Sequence, residues 1–169
     1  VYFAYTIWAV DDEMRNLYFR PNKDSQEYNG IYIWKNSSYD LIKNSGKFCI
    51  NLVNEELAYA TDYCGVRSGR DVDKWKEMSL TRGKANELSY APIIEECPVN
   101  IECKVVEVKE LGSHAMFLAE VVSVQVDDAY MDETGKFHLN DSGLMAYSHG
   151  AYKELGADIG TFGYSVKKK

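Results

Sequence analysis

The chain has 169 residues, 46% of them hydrophobic and 13% aromatic, with a formal net charge of −7; that length suits one domain able to bury roughly two thirds of its unfolded surface. The acidic balance offers no positive field to the phosphates of a nucleic acid or to an anionic membrane face, so neither is expected as a partner. Apolar runs such as residues 116–124 are broken by Glu120 and fall short of the ~20 residues of a membrane-spanning helix; no charged-then-apolar leader is read, and a cytoplasmic protein is expected.

Residues 1–10 are aromatic and β-branched, Asp11-Asp12-Glu13 is a polar tip, and Leu17-Tyr18-Phe19 resumes the apolar pattern before Pro21-Asn22. This predicts a hairpin. After Gly30, the strand-like Ile31-Tyr32-Ile33-Trp34 leads to Ser37-Ser38-Tyr39-Asp40, whose serines are N-cap candidates for a short helix through Leu41 and Ile42. Ser45-Gly46 ends it. Residues 48–53 have the compact apolar look of a buried strand, and residues 55–63 carry helical spacing in Leu57, Ala58 and Ala60, running into Cys64-Gly65. Ser68-Gly69-Arg70-Asp71 reads as a turn, residues 72–78 as a second short helix with Trp75 facing inward, and the polar stretch 81–89 as a surface loop.

From Ile93 the pattern turns to long strands. Residues 99–105 alternate strictly, which predicts one buried and one wet face. Leu111-Gly112-Ser113-His114 makes a turn into a partner strand over 114–126, and residues 132–136 form a further turn. Residues 139–147 lead into an irregular tail punctuated by Gly150, Gly156, Gly160 and Gly163, ending in a solvated Lys167-Lys168-Lys169. An α+β domain, mainly antiparallel β, is the expected class.

Candidate chemistry is sparse in the residues themselves. His114, His138 and His149 lack the i, i+4 spacing of a zinc site, so no metal is expected. His114 stands at a strand entrance, where its ring can reach a ligand or cap the turn. Cys49, Cys64, Cys97 and Cys103 are widely spaced without a C-x-x-C pair, which favours buried reduced thiols; Cys49 lies in an apolar run that would make its thiol inert. Asp71 and Asp73 read as capping or solvated carboxylates as readily as an acid pair. No G-x-G-x-x-G or G-x-x-x-x-G-K motif is present, but Ser37, Ser38, Ser68, Arg70 and Lys74 place hydroxyls and cations near expected helix starts, where free N–H groups favour an anion.

The stretch at residues 60–75, with Ser68-Gly69-Arg70-Asp71-Val72-Asp73-Lys74-Trp75 at its end, closely resembles a segment of the flavin reductase-like, flavoredoxin-type family. Tyr39-Asp40-Leu41-Ile42-Lys43, Phe48-Cys49-Ile50-Asn51-Leu52, residues 91–103, Leu111-Gly112-Ser113-His114-Ala115-Met116-Phe117 and Ala146-Tyr147-Ser148-His149-Gly150 resemble the same family in the same order. The resemblance runs from Tyr39 to the end, while the first 38 residues diverge; the whole of 1–169 is expected to form a single domain of this type. It implies an FMN-binding split β-barrel with short flanking helices, usually a homodimer with flavin near the subunit interface, receiving electrons from NAD(P)H or a redox protein. An FMN-dependent oxidoreductase is the activity implied, with a non-catalytic flavin-binding module as the alternative. Carried over by position, Ser38 and Lys74 would hold the phosphate, Asn51 would lie under the flavin, His114 would face the ribityl chain or phosphate, and Tyr147 would lie near the isoalloxazine; Ser37 is expected among the cofactor-binding residues as well. No catalytic residue is assigned.

Overall fold

The computed structural model describes residues 7–8, 18–21, 29–34, 37–112 and 114–167. Strands β1 (Ile7–Trp8), β2 (Tyr18–Pro21) and β3 (Asn29–Trp34) precede helix α1 (Ser37–Ser45) and strand β4 (Lys47–Leu52). Helices α2 (Ala58–Val66) and α3 (Lys74–Glu77) follow, then short strands β5 (Arg82–Gly83) and β6 (Ile93–Ile94). Long strands β7 (Val99–Leu111) and β8 (His114–Val126) come next, and then β9 (Met145–Ser148) and β10 (Ala151–Glu154). One six-stranded sheet runs in the order β1-β4-β7-β8-β3-β2; β5–β6 and β9–β10 are separate ribbons.

The spine of the sheet is the β7–β8 hairpin, two strands of 13 residues closed at the pair Leu111↔His114. Alternating apolar positions on both strands favour this local pairing, as the sequence predicts. The hairpin expected in the first third is not formed by β1 and β2. β2 pairs with β3, whereas β1 joins the far edge through Ile7↔Leu52 and Trp8↔Asn51 of β4. The tip residues 11–13 of that expected hairpin lie outside the described residues. Neighbouring strands in sequence are only the default partners, and here a long-range edge supplied the pairing instead.

The two faces of β4 pack differently, as a period of two requires. Phe48 and Ile50 join Tyr39 and Ile42 of α1, Cys103, Ala115, Phe117 and Ala119 in the main apolar cluster. Phe117 is wholly buried, a gain of about 1.5–3 kcal/mol for a side chain of this kind. α1 is moored over this cluster by the Tyr39 hydroxyl, which donates to Glu110 of β7, and by Lys43 Nζ, 3.1 Å from the same carboxylate. On the other face Cys49 packs with Ala85, Ala91 and Ile93.

That second face overturns the expectation of a wet side on β7. Asn100 and Glu102 are buried, Glu102 completely. Residues 81–89, expected as a surface loop, lie over them: Gly83 and Ala85 are buried, β5 pairs with β6, and the loop carries three backbone N–H groups to the Glu102 carboxylate. A Cβ at Gly83 would stand 2.6 Å from Ile93 Cγ1, so only glycine allows this close approach. The tail also differs from the irregular stretch expected. β9 and β10 pair Ser148↔Ala151 across His149-Gly150, both at positive φ, the arrangement of a two-residue type I′ turn.

Candidate functional site

Ser37 and Ser38 open α1, three and four residues past the end of β3, and Trp34 at that end pairs with His114 of β8. The first turn of α1 and the strand entrance bearing His114 therefore share one end of the sheet. Ser38 is buried, 1% exposed, and lies on the wall of a cavity of about 180 Å³ between α1, the start of β4 and residues 90–92.

Asn51 stands toward the other end. It pairs with Asn100, eleven residues along β7 from Leu111, the partner of His114; at a rise of ~3.3 Å per residue that is on the order of 36 Å of strand path. Its side chain is fully buried, and Oδ1 accepts the Ile94 N–H at 3.1 Å. Asn51 thus holds β6 against the sheet. Lys74 begins α3, N-capped by Asp73, and its Nζ donates to the Cys64 carbonyl at 2.9 Å near the C-terminal end of α2. A cation at a helix C-terminus is favoured by the exposed carbonyls there. Burial pushes the Cys64 thiol up to about 11, and the charge of Lys74 partly opposes that shift.

Tyr147 of β9 is 41% exposed and packs its ring against Tyr152 of β10, with centroids 5.1 Å apart. The Tyr152 hydroxyl donates to Asp62 of α2 at 3.2 Å, and burial together with the Asp62 charge pushes its phenol up to about 12. Val53, Ile94, Cys97 and Met145 form the apolar cluster beneath, flanked by Trp75 and Tyr152. The described elements therefore place the expected residues in two groups: Ser37 and Ser38 in the first turn of α1 with His114 at the same end of the sheet, and Asn51, Lys74 and Tyr147 toward the α2–α3 and β9–β10 side.

Two structural supports carry no local signal in the sequence. Tyr152 and Asp62 are ninety positions apart, and nothing local marks them as partners. Glu102 sits in a strand of alternating pattern, where a carboxylate reads as solvent-facing. Burial pushes its carboxyl up, yet the N–H groups of Asn86, Glu87 and Leu88 and the Gln125 amide outweigh that and hold it below the usual carboxylate value. The four cysteines are free and buried, with the thiols of Cys49, Cys97 and Cys103 pushed up to about 12 by burial.

A family model described as the flavin reductase like domain matches residues 31–156. The chain belongs to this family. An uncharacterized protein of Archaeoglobus fulgidus is 34% identical over 113 residues, 67% of this chain and 62% of that protein. The chain spans between 35% and 62% of the length of the first three curated relatives it matches. Flavoredoxin of Desulfovibrio vulgaris superposes with a TM-score of 0.80 at 20% identity, covering 98% of this chain and 93% of that one. A candidate flavin reductase with a split barrel domain from Shewanella frigidimarina gives 0.73 at 21% identity, over 86% and 75% of the two chains. The mainly antiparallel α+β architecture is accordingly that of the split barrel, as the flavin reductase-like resemblance implied.

Proposed function

We propose that the chain is an FMN-binding oxidoreductase of the flavin reductase or flavoredoxin type. The observation that carries this reading is the family match over 31–156, which spans all six residues Ser37, Ser38, Asn51, Lys74, His114 and Tyr147. The donor set suits the cofactor: hydroxyl, ammonium and imidazole groups for a phosphate and ribityl chain, and a half-exposed tyrosine for an aromatic ring. Bound FMN would supply the electron chemistry. Ser38 and Lys74 would neutralise and orient the phosphate, His114 would fix the ribityl end, and Tyr147 would cover the ring and limit its access to water.

The separation of these residues into two sets supports a homodimer in which one flavin draws contacts from both copies. NAD(P)H or a redox protein would provide electrons, and 1–169 would act as one domain in the cytoplasm. None of the described helices is long and apolar enough to cross a membrane.

The experiment is to add FMN, desalt, and record the visible spectrum and flavin fluorescence. Retained flavin absorbance and quenched fluorescence are expected; loss of both on desalting refutes the reading. Anaerobic bleaching by NADH, NADPH or reduced ferredoxin then identifies an oxidoreductase. Retained flavin that none of the three bleaches would instead favour a non-catalytic flavin-binding module.

A further inference from the structure

We propose that the cavity between α1 and residues 90–92 binds a small aromatic carboxylate, one planar ring bearing a single negative charge, at a place separate from the flavin. Its volume of about 180 Å³ is below the roughly 300 Å³ at which drug-sized pockets begin, a size that suits a single substituted ring. Leu41, Ile42, Phe48, Ala91 and Pro92 supply the apolar part of its lining. Apolar walls of this kind suit a flat hydrophobic body.

The charge comes from Lys47, which lines the cavity. Its Nζ donates to Ser89 Oγ at 3.3 Å and stands 5.6 Å from the centre of the Tyr90 ring. Both partners are neutral, and among the described residues no carboxylate pairs with Lys47, in a chain whose net charge is −7. An unneutralised ammonium at the edge of an apolar cavity favours an anion, through a charge-assisted hydrogen bond.

Tyr90 completes the site. It is 97% exposed and held at a φ of +65°, a conformation unfavourable for a bulky residue and found where surrounding structure imposes it. The segment on either side is anchored: the N–H groups of Glu87 and Leu88 to Glu102, and the Ala91 carbonyl by the Cys49 thiol at 3.2 Å. Its ring stands beside Lys47 Nζ and lines the cavity, where it would cover a ring entering there. Ser38 and Ser45 lie along the same wall, seven residues or roughly 10 Å apart on the helix axis. An anion at Lys47, beyond Ser45, leaves the α1 start to the flavin phosphate.

The test is ligand-observed saturation-transfer NMR with benzoate and its neutral isostere benzamide, on the full chain with and without FMN. Benzoate should bind about tenfold more tightly than benzamide, the discrimination expected of one charged hydrogen bond, whether or not FMN is present. Lys47→Met should abolish the preference, Lys47→Arg should keep it, and Tyr90→Ala should weaken both probes. Absence of a benzoate signal, equal binding of the two probes to the unaltered chain, or an unchanged preference in Lys47→Met overturns the proposal. Displacement of benzoate by FMN, or binding only when FMN is present, overturns its separateness from the flavin. The probe comparison uses the unaltered protein and so does not depend on any variant folding.

Discussion

Replacing Glu102 by glutamine perturbs the joint between β7 and residues 84–92 at one atom. In the native chain Oε1 accepts from Asn86 N at 2.7 Å and Gln125 Nε2 at 3.1 Å, and Oε2 accepts from Glu87 N at 2.9 Å and Leu88 N at 2.8 Å. A glutamine can keep one oxygen for Glu87 and Leu88, and Gln125 can turn its own oxygen toward the new amide. The Asn86 N–H is then left without its acceptor. One orphaned buried donor costs about 1–3 kcal/mol, and the two remaining bonds lose their charge assistance; together about 2–4 kcal/mol is expected. At roughly 2–4 °C per kcal/mol for a chain of this size, the melting midpoint should fall by about 4–16 °C.

Urea unfolding at pH 7 measures the loss, and hydrogen exchange should show faster opening at Asn86, Glu87 and Leu88 than in the β7–β8 hairpin. The pH dependence gives the sign. Because the folded carboxyl lies below its ordinary value, its stabilisation is fully present above the unfolded value of ~4.3 and is lost as pH falls through the folded one. The gap between native chain and Glu102→Gln should therefore narrow on acidification below about pH 4. A variant within ~0.5 kcal/mol of the native chain at pH 7, with unchanged exchange at residues 86–88, would refute the reasoning.

Lys74→Ala should weaken FMN more than riboflavin in fluorescence titrations, since only FMN carries the phosphate; equal losses would leave Lys74 as no more than the group that closes the end of α2. Gly83→Ala drives a methyl against Ile93 and should cost about 1–3 kcal/mol in urea unfolding, as overpacking does. The Cys49, Cys97 and Cys103 thiols, pushed up to about 12, should resist iodoacetamide at pH 8 in the native chain and react promptly in urea, read by mass spectrometry. Fast native alkylation would contradict their burial.

Much of the fold can be read in the residues because its strongest features are local. Strict alternation on both sides of Leu111-Gly112-Ser113-His114 specifies the β7–β8 hairpin without help from the rest of the chain. Ser45-Gly46 ends α1 where expected, since Gly46 adopts a φ of +68° that most residues avoid. The ordered motifs from Tyr39 onward carried the family, and with it the kind of site to look for.

Other features depend on residues far apart in sequence. Glu102 can be buried only because a loop more than a dozen residues away turns three N–H groups toward it, so its local pattern reads as a wet strand. The partner of β1 is β4 rather than β2, an edge choice that alternation cannot encode. Placement of the candidate site belongs here too: sequence order lists Ser38, Asn51, Lys74, His114 and Tyr147 as one set, whereas the antiparallel register sets Asn51 and His114 far apart along the sheet, with Lys74 on α3 and Tyr147 on a separate ribbon. Periodicity determines which side of a strand a residue takes, because that is a property of each backbone. Register and loop cover decide what meets that side, because they are settled by contacts between distant segments.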